Sequence, residues 1–344
     1  MHELTNLIHL FSLVQISGTQ WVDCQTYDHI SSHTTRSEND PMQNTKILIT
    51  GPTGQVAYPV TFELAKNNEV WAAARFSDPK KRDALQSAGV RCVNVDMAQG
   101  DFRELPRDFD YVLNFAVVRN VGDDFDTELS SNAEAVGLLM QHCRAAKAFL
   151  HVSSCAVYHP AGHDVLTEKS PLGDNHRSMF LTYSVGKIAQ EAVVRYCARA
   201  FRLPSIICRL NVPYGNNGGW PYYHLLMMEH GVPITVNSDA PSTYTLIHED
   251  DIIRSIPPLL AAARVPTEIV NWSGQDHVSI EEWCAYLAEL TGLEPKLQYT
   301  PDTLPSVMSS NDKLQRIAGP TRVDWKDGLR RMVEAMRPDL LKQG

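Results

Sequence analysis

The chain has 344 residues, a formal net charge of −9, 43% hydrophobic and 21% charged side chains, the balance of a folded globular protein with one large domain or a large one carrying a smaller. Its acidic balance and the lack of a dense Lys/Arg block argue against nucleic acid or an anionic membrane as partner. Seven scattered cysteines with no CxxC pair argue against a disulfide framework or a zinc site, and a reducing, cytoplasmic setting is the expectation.

Leu7 to Ile16 is apolar but interrupted by His9, Ser12 and Gln15, and is too short to span a bilayer. No Lys or Arg precedes Arg36, so a secretory signal is not expected. Ser31 to Asn44 is polar. Residues 1–45 therefore read as a disordered extension, or as the product of an upstream start with Met42 as the functional initiator.

From Lys46 the pattern becomes regular. Strand-length apolar runs at Ile47–Ile49, Val70–Ala74, Cys92–Val95, Tyr111–Phe115, Phe149–Val152 and Ser205–Cys208 alternate with helical periodicity. The helices are expected at Gln55–Lys66, Pro79–Ser87, Thr127–Ala146 and Ser184–Phe201. Strands that are apolar throughout, separated by helices, indicate an α/β fold: a doubly wound parallel sheet covered on both faces, over residues 46–210. After Asn211 the alternation breaks at Pro213, Gly215, Gly218, Gly219 and Pro221. Further helical patterns at Asp250–Ala263, Ile280–Leu290 and Lys326–Met336 suggest a smaller α/β substrate lobe over residues 211–344.

The first strand enters Thr50-Gly51-Pro52-Thr53-Gly54-Gln55-Val56-Ala57, and a helix is expected to follow. Glycines there permit a tight turn and close approach of a diphosphate, and the helix N-terminus offers free N–H groups. A plain strand-to-helix turn is the alternative. At the end of the second strand stands Arg75, where an acidic residue would hold the ribose of NAD. Its forked donors suit a 2′-phosphate, and Lys80, Lys81 and Arg82 add positive potential, so NADP is expected over NAD. The alternative is a solvated strand-end cation.

Tyr183-Ser184-Val185-Gly186-Lys187 opens a long helical pattern, and the i, i+4 spacing puts Tyr183 and Lys187 on one face. A neighbouring ammonium favours phenolate and brings a tyrosine within reach of proton transfer. Such a pair also arises by chance, and its weight comes from its place downstream of the glycine turn. Upstream, Ser153 and Ser154 end a buried strand, where Ser154 can donate to a carbonyl oxygen unless both merely form a turn.

In this order TGPTGQVA, Asp96, Asn114-Phe115-Ala116, SSCAVY, YSVGK, Arg209 to Gly215 and Leu246 to Asp251 resemble an extended short-chain dehydrogenase/reductase of the NAD-dependent epimerase/dehydratase type. The resemblance runs from about Lys46 nearly to the C-terminus. It implies a Rossmann domain with Ser154, Tyr183 and Lys187 as the catalytic group. The implied cofactor residues are Gly51, Thr53, Gly54, Gln55, Val56, Arg75, Asp96 (at the adenine), Met97, Phe115, Ala116, Val117 and Leu210, with Tyr183 and Lys187. Ser154, Asn211 and Tyr244 are the candidate substrate contacts. Three departures bear on the substrate: Pro241 to Thr245 lacks the arginine with which sugar-nucleotide members grip the diphosphate, Val212 stands where they carry Asn, and His159 replaces a common glycine. Trp220, Tyr222, Tyr223, Leu225, Met227 and Met228 line an apolar pocket or belong to ordinary core.

The leading expectation is hydride transfer between NADP(H) and a small carbonyl or alcohol. The alternatives are a sugar-nucleotide epimerase or dehydratase, and a catalytically silent cofactor-sensing regulator. A small molecule is the expected partner, and the resemblance suggests a homodimer through the long helices.

Overall fold

A computed structural model describes residues 42–118 and 122–342; the expected N-terminal extension lies outside them through residue 41. The chain begins β1 (Lys46–Thr50), α1 (Ala57–Ala65), β2 (Glu69–Ala74), α2 (Pro79–Ser87), β3 (Arg91–Asn94) and β4 (Tyr111–Asn114). It continues α3 (Phe125–Glu128), a π-helical stretch (Leu129–Glu134), α4 (Ala135–His142), β5 (Ala148–Ser154), β6 (Val165–Leu166), α5 (Tyr183–Phe201) and β7 (Ser205–Leu210). Next come β8 (Val212–Gly215), β9 (Gly218–Gly219), α6 (Trp220–Glu229), β10 (Ile234–Asn237), β11 (Thr243–His248), α7 (Glu249–Ala261) and β12 (Glu268–Trp272). It closes with β13 (His277–Ser279), α8 (Ile280–Thr291), β14 (Leu297–Thr300), β15 (Met308–Ser309), α9 (Asp312–Ala318) and α10 (Trp325–Met336).

Seven strands form one sheet in the order β3-β2-β1-β4-β5-β7-β12, parallel throughout. Alternate side chains of each strand point to opposite faces, so both faces of an apolar run need cover. Ile47, Ile49 and Leu113 meet Val60 and Leu64 of α1 and Ile252, Ile256 and Leu259 of α7 on one face. Leu48, Val112, Phe149 and Ile207 meet Val136, Leu139 and Met140 of α4 and Val194 and Ala198 of α5 on the other. Each of the larger side chains taken out of water contributes about 1.5–3 kcal/mol. After β1 the chain builds β2 and β3 outward and returns to β4 on β1's other side, which opens a crevice at the C-terminal ends of β1 and β4.

The later residues build a second core. A four-stranded sheet, β13-β11-β8-β9, packs Val212, Tyr214 and Leu246 against Trp283 and Leu287 of α8 and Leu329 of α10. Local chemistry starts these helices: a capping box of Ser279 and Glu282 for α8, and Asp324 accepting from Lys326 and Asp327 N–H for α10.

Three differences from the sequence reading stand out. The single helix expected at Thr127–Ala146 is divided by the π-helical stretch. Helix α6 forms where Pro221 and the glycines read as breakers, because a proline in the first turn has no N–H to lose. Strand β12, far along the chain, completes the edge of the large sheet beside β7.

Candidate active site

The turn after β1 is shaped by Gly51, with φ +66°; a Cβ there would stand 3.0 Å from both Cα and N of Ala116. Strand ends β1 and β4 thus close to backbone distance, which only glycine allows. Ala116 N donates to Thr50 Oγ1 at 3.2 Å, and Thr50 Oγ1 donates to Asn114 Oδ1 at 2.6 Å. Helix α1 then starts after Val56 with no side-chain cap and no acid in its first turn. A tight glycine cradle facing an uncapped, positive helix end fits the diphosphate of a dinucleotide.

The same turn is tied from two sides. Lys81 Nζ donates to Thr53 O at 3.0 Å and lies 5.1 Å from the Tyr58 ring centre, and burial lowers its pKa. Gln55 O accepts from Asn217 Nδ2 at 2.7 Å, and Gln55 Nε2 reaches Gly218 O at 3.4 Å. Arg75 is exposed at the end of β2. Asp96 accepts from Ala98 N at 3.1 Å and lines a pocket of about 440 Å³ with Asn94, Val95, Gln99 and Arg103, among others. Met97, Phe115 and Val117 are half-buried, Phe115 with its ring 6.3 Å from that of Trp272, and Leu210 is buried at the end of β7.

Ser154 ends β5, half-buried, and its Oγ accepts from Ala156 N at 3.1 Å, leaving the hydroxyl hydrogen available to a ligand. Tyr183 opens α5; its ring lies 5.7 Å from His176 and 6.3 Å from Phe180. Burial pushes His176 down to about 4, so that imidazole is neutral near pH 7. Lys187 is buried, with Nζ 6.0 Å from the Tyr183 ring centre, donating to Val152 O at 2.9 Å and to Gln190 Oε1 at 3.2 Å. Its anchor is thus the strand that carries Ser154. His151, fully buried on that strand, pairs with Asn114 Nδ2 at 3.0 Å; burial first and the Lys187 charge second hold it well below the usual histidine range. Deeper in α5, Glu191 forms a buried ion pair with Arg209 of β7 at 2.7 Å and accepts from Ser153 Oγ at 2.7 Å.

Two of the candidate substrate contacts are placed elsewhere. Tyr244 is 2% exposed beneath Trp220 and Trp283, and its hydroxyl donates to the carbonyls of Leu304 and Pro305 at 3.2 and 3.0 Å. Asn211 Nδ2 donates to Val307 O at 3.0 Å and Ser309 Oγ at 2.9 Å. Both hold the segment running into β15: the Tyr244 hydroxyl and the Asn211 amide hydrogens are engaged there, by contacts between residues far apart in sequence. Leu225 and Met228 are core, whereas Tyr223 is exposed.

Sequence reasoning passed over Glu128, Asn132 and His151, and gave Asn114 no role beyond its strand-end motif. A signal for the first two was present: Glu128, Asn132 and Ala135 fall on the buried face of one helical pattern, where a carboxylate is out of place. Among the described residues no helix is long and apolar enough to cross a membrane.

Residues 47–271 match the model of the NAD dependent epimerase/dehydratase family. No curated protein matches the sequence. Among solved structures, UDP-glucuronic acid 4-epimerase from Bacillus cereus, with UDP-glucuronic acid and NAD, is 21% identical with a TM-score of 0.74, covering 85% of this chain and 99% of that one. DesIV, a dTDP-glucose 4,6-dehydratase from Streptomyces venezuelae with NAD and TYD bound, is 22% identical with a TM-score of 0.74 over 86% and 97%. UDP-N-acetylglucosamine 4-epimerase from Methanobrevibacter ruminantium M1, with UDP-N-acetylmuramic acid, is 15% identical with a TM-score of 0.76 over 86% and 99%. At these identities the likeness is one of fold.

Proposed function

The chain belongs to the NAD dependent epimerase/dehydratase family, and from that premise we propose that it is an epimerase- or dehydratase-type enzyme acting on a hydroxyl-bearing, sugar-like substrate. This reverses the order expected from the sequence, where plain carbonyl reduction came first. The family match and the activities named for the similar structures favour enzymes that oxidise a substrate and return the electrons to it.

The observation that carries the reading is the anchoring of Lys187 to Val152 O, on the strand ending at Ser154, one helical turn beyond Tyr183. When bound, the nicotinamide supplies a reversible acceptor for hydride. Tyr183 exchanges the proton with the substrate oxygen. Lys187, held in place by two acceptors, stabilises negative charge on the phenolic oxygen as it develops. Ser154 donates its free hydroxyl hydrogen to the same substrate oxygen. Gly51, Gly54 and the start of α1 would hold the cofactor diphosphate, and Asp96 would face the adenine.

Cofactor choice is a finer proposal. The named B. cereus and S. venezuelae structures hold NAD, so a preference for NADP rests on Arg75, exposed just past the end of β2. Plain reduction remains as the second reading, favoured by the absence of an arginine from Pro241 to Thr245.

The test is incubation with either cofactor and a panel of nucleotide sugars, free sugars and simple carbonyl compounds, following nicotinamide absorbance and product NMR. Product formed without net cofactor consumption supports the proposal. Net consumption with a carbonyl compound moves the chain to the reductase reading, and cofactor binding with no turnover on any class counts against both.

A further inference from the structure

One buried carboxyl beside the catalytic helix has no part in the chemistry proposed above. Glu128 ends α3 and is 2% exposed. Its Oε1 accepts from Asn132 Nδ2 at 2.8 Å and its Oε2 from Thr182 Oγ1 at 3.2 Å. Both donors are neutral. Burial raises the carboxyl's pKa, and the Lys187 charge acts in the opposite direction. Burying a carboxyl costs free energy that neutral donors return only in part, so stability alone is a weak reason for an acid here.

What Glu128 holds is more telling. Asn132 also clamps Val118, accepting from its N at 2.7 Å and donating to its O at 3.0 Å. Val118 continues the segment of Phe115, Ala116 and Val117 along the crevice. On the other side, Thr182 immediately precedes Tyr183, and Gly186, whose N–H donates to Thr182 O at 2.8 Å, immediately precedes Lys187. A Cβ at Gly186 would land on Glu128 Oε1, with Cδ at 2.6 Å and Cγ at 2.7 Å. Glycine inside a helix costs about 1 kcal/mol against alanine, and the carboxyl of Glu128 is the group that requires it here. The π-helical stretch begins at the next residue, a deviation that recurs at functional sites.

We infer that Glu128 is a positioning residue, fixing the first turn of α5, and with it Tyr183 and Lys187, against the Val118 end of the crevice. The inference rests on the proposed reading of that crevice as a nicotinamide cofactor site. Glu128 acts through Thr182, Gly186 and Asn132 rather than on substrate or cofactor.

The test is a double-mutant cycle read by cofactor affinity. Wild type, Glu128→Ala, Gly186→Ala and the double variant are titrated with NAD⁺ and NADP⁺ by calorimetry, and each is melted separately. Glu128→Ala weakens the better cofactor by roughly tenfold, the equivalent of one to two hydrogen bonds. Gly186→Ala does the same, because its methyl displaces the carboxyl. The double variant binds no more weakly than either single one, and it melts above Gly186→Ala alone. Glu128→Gln, which keeps volume and one acceptor, stays within about threefold of wild type. Additive losses in the double variant, or unchanged affinity in both single variants, overturn the inference. Should Glu128→Ala fail to fold, unchanged affinity in Gly186→Ala is by itself enough to overturn it. A wild type that binds neither cofactor overturns the cofactor reading first, a result seen before any variant is made.

Discussion

The C-terminal edge of the large sheet and the region built after residue 210 spend their polar groups in opposite ways. At the edge, α1 begins uncapped, Ser154 keeps its hydrogen available, and Gly51 leaves a cradle that any side chain would fill. In the later region Asn211, Tyr244 and Thr245 have their hydrogen bonds taken by the segment from Leu304 to Ser309. The edge keeps space and donors available, whereas these three residues of the later region are already engaged. A polar residue in a ligand-facing position of a pattern is therefore a ligand contact only if its donors and acceptors are not already used.

The sharpest way to break this comparison is Tyr183→Phe, which removes one hydroxyl from the open edge. Turnover, once a substrate is found, should fall by about a thousandfold or more while cofactor affinity holds. Near-wild-type turnover would mean that the reacting edge lies elsewhere. Next in size is Glu191→Ala, which strips the partner from a buried guanidinium that also stacks 4.8 Å from the Tyr158 ring centre. The expected loss is about 3–5 kcal/mol by denaturant melting, and a change near zero would show that water reaches Arg209.

The fold and the two halves of the site differed in how far sequence revealed them. Strands such as Ile47–Ile49 were legible because burial on both faces leaves an unbroken apolar run, and Pro79–Ser87 because Asp78 caps it and proline opens it. The glycine turn and the Tyr183/Lys187 spacing were legible because backbone geometry and helical pitch act locally. Strand β12 was not assigned to the large sheet, since EIVNW meets β7 only through the folded chain. The engagement of Tyr244 and Asn211 by residues 304–309 was hidden for the same reason. Glu128 was overlooked because its significance depends on Gly186, a contact across two helices.

Two smaller effects sharpen the contrast further. If Arg75 meets a 2′-phosphate, Arg75→Ala should cut the ratio of NADP to NAD affinity by roughly tenfold at fixed ionic strength; an unchanged ratio makes it a solvated strand-end charge. Tyr244→Phe should cost only about 1 kcal/mol of stability, the worth of a satisfied hydrogen bond, and leave substrate affinity unaltered. A large rise in KM without loss of stability would return Tyr244 to the substrate site.

The contact between Gln55 and the β8–β9 turn reaches beyond geometry. Asn217 holds Gln55 through its side chain, and its own N–H donates at 3.2 Å to Glu249, a carboxyl pushed up to about 7 by burial. Local opening of the glycine turn and of residues 216–218 is therefore expected as one event rather than two. A molecule that quiets the first should slow amide hydrogen exchange in the second, so protection from solvent would spread to a part of the chain that the molecule itself never touches.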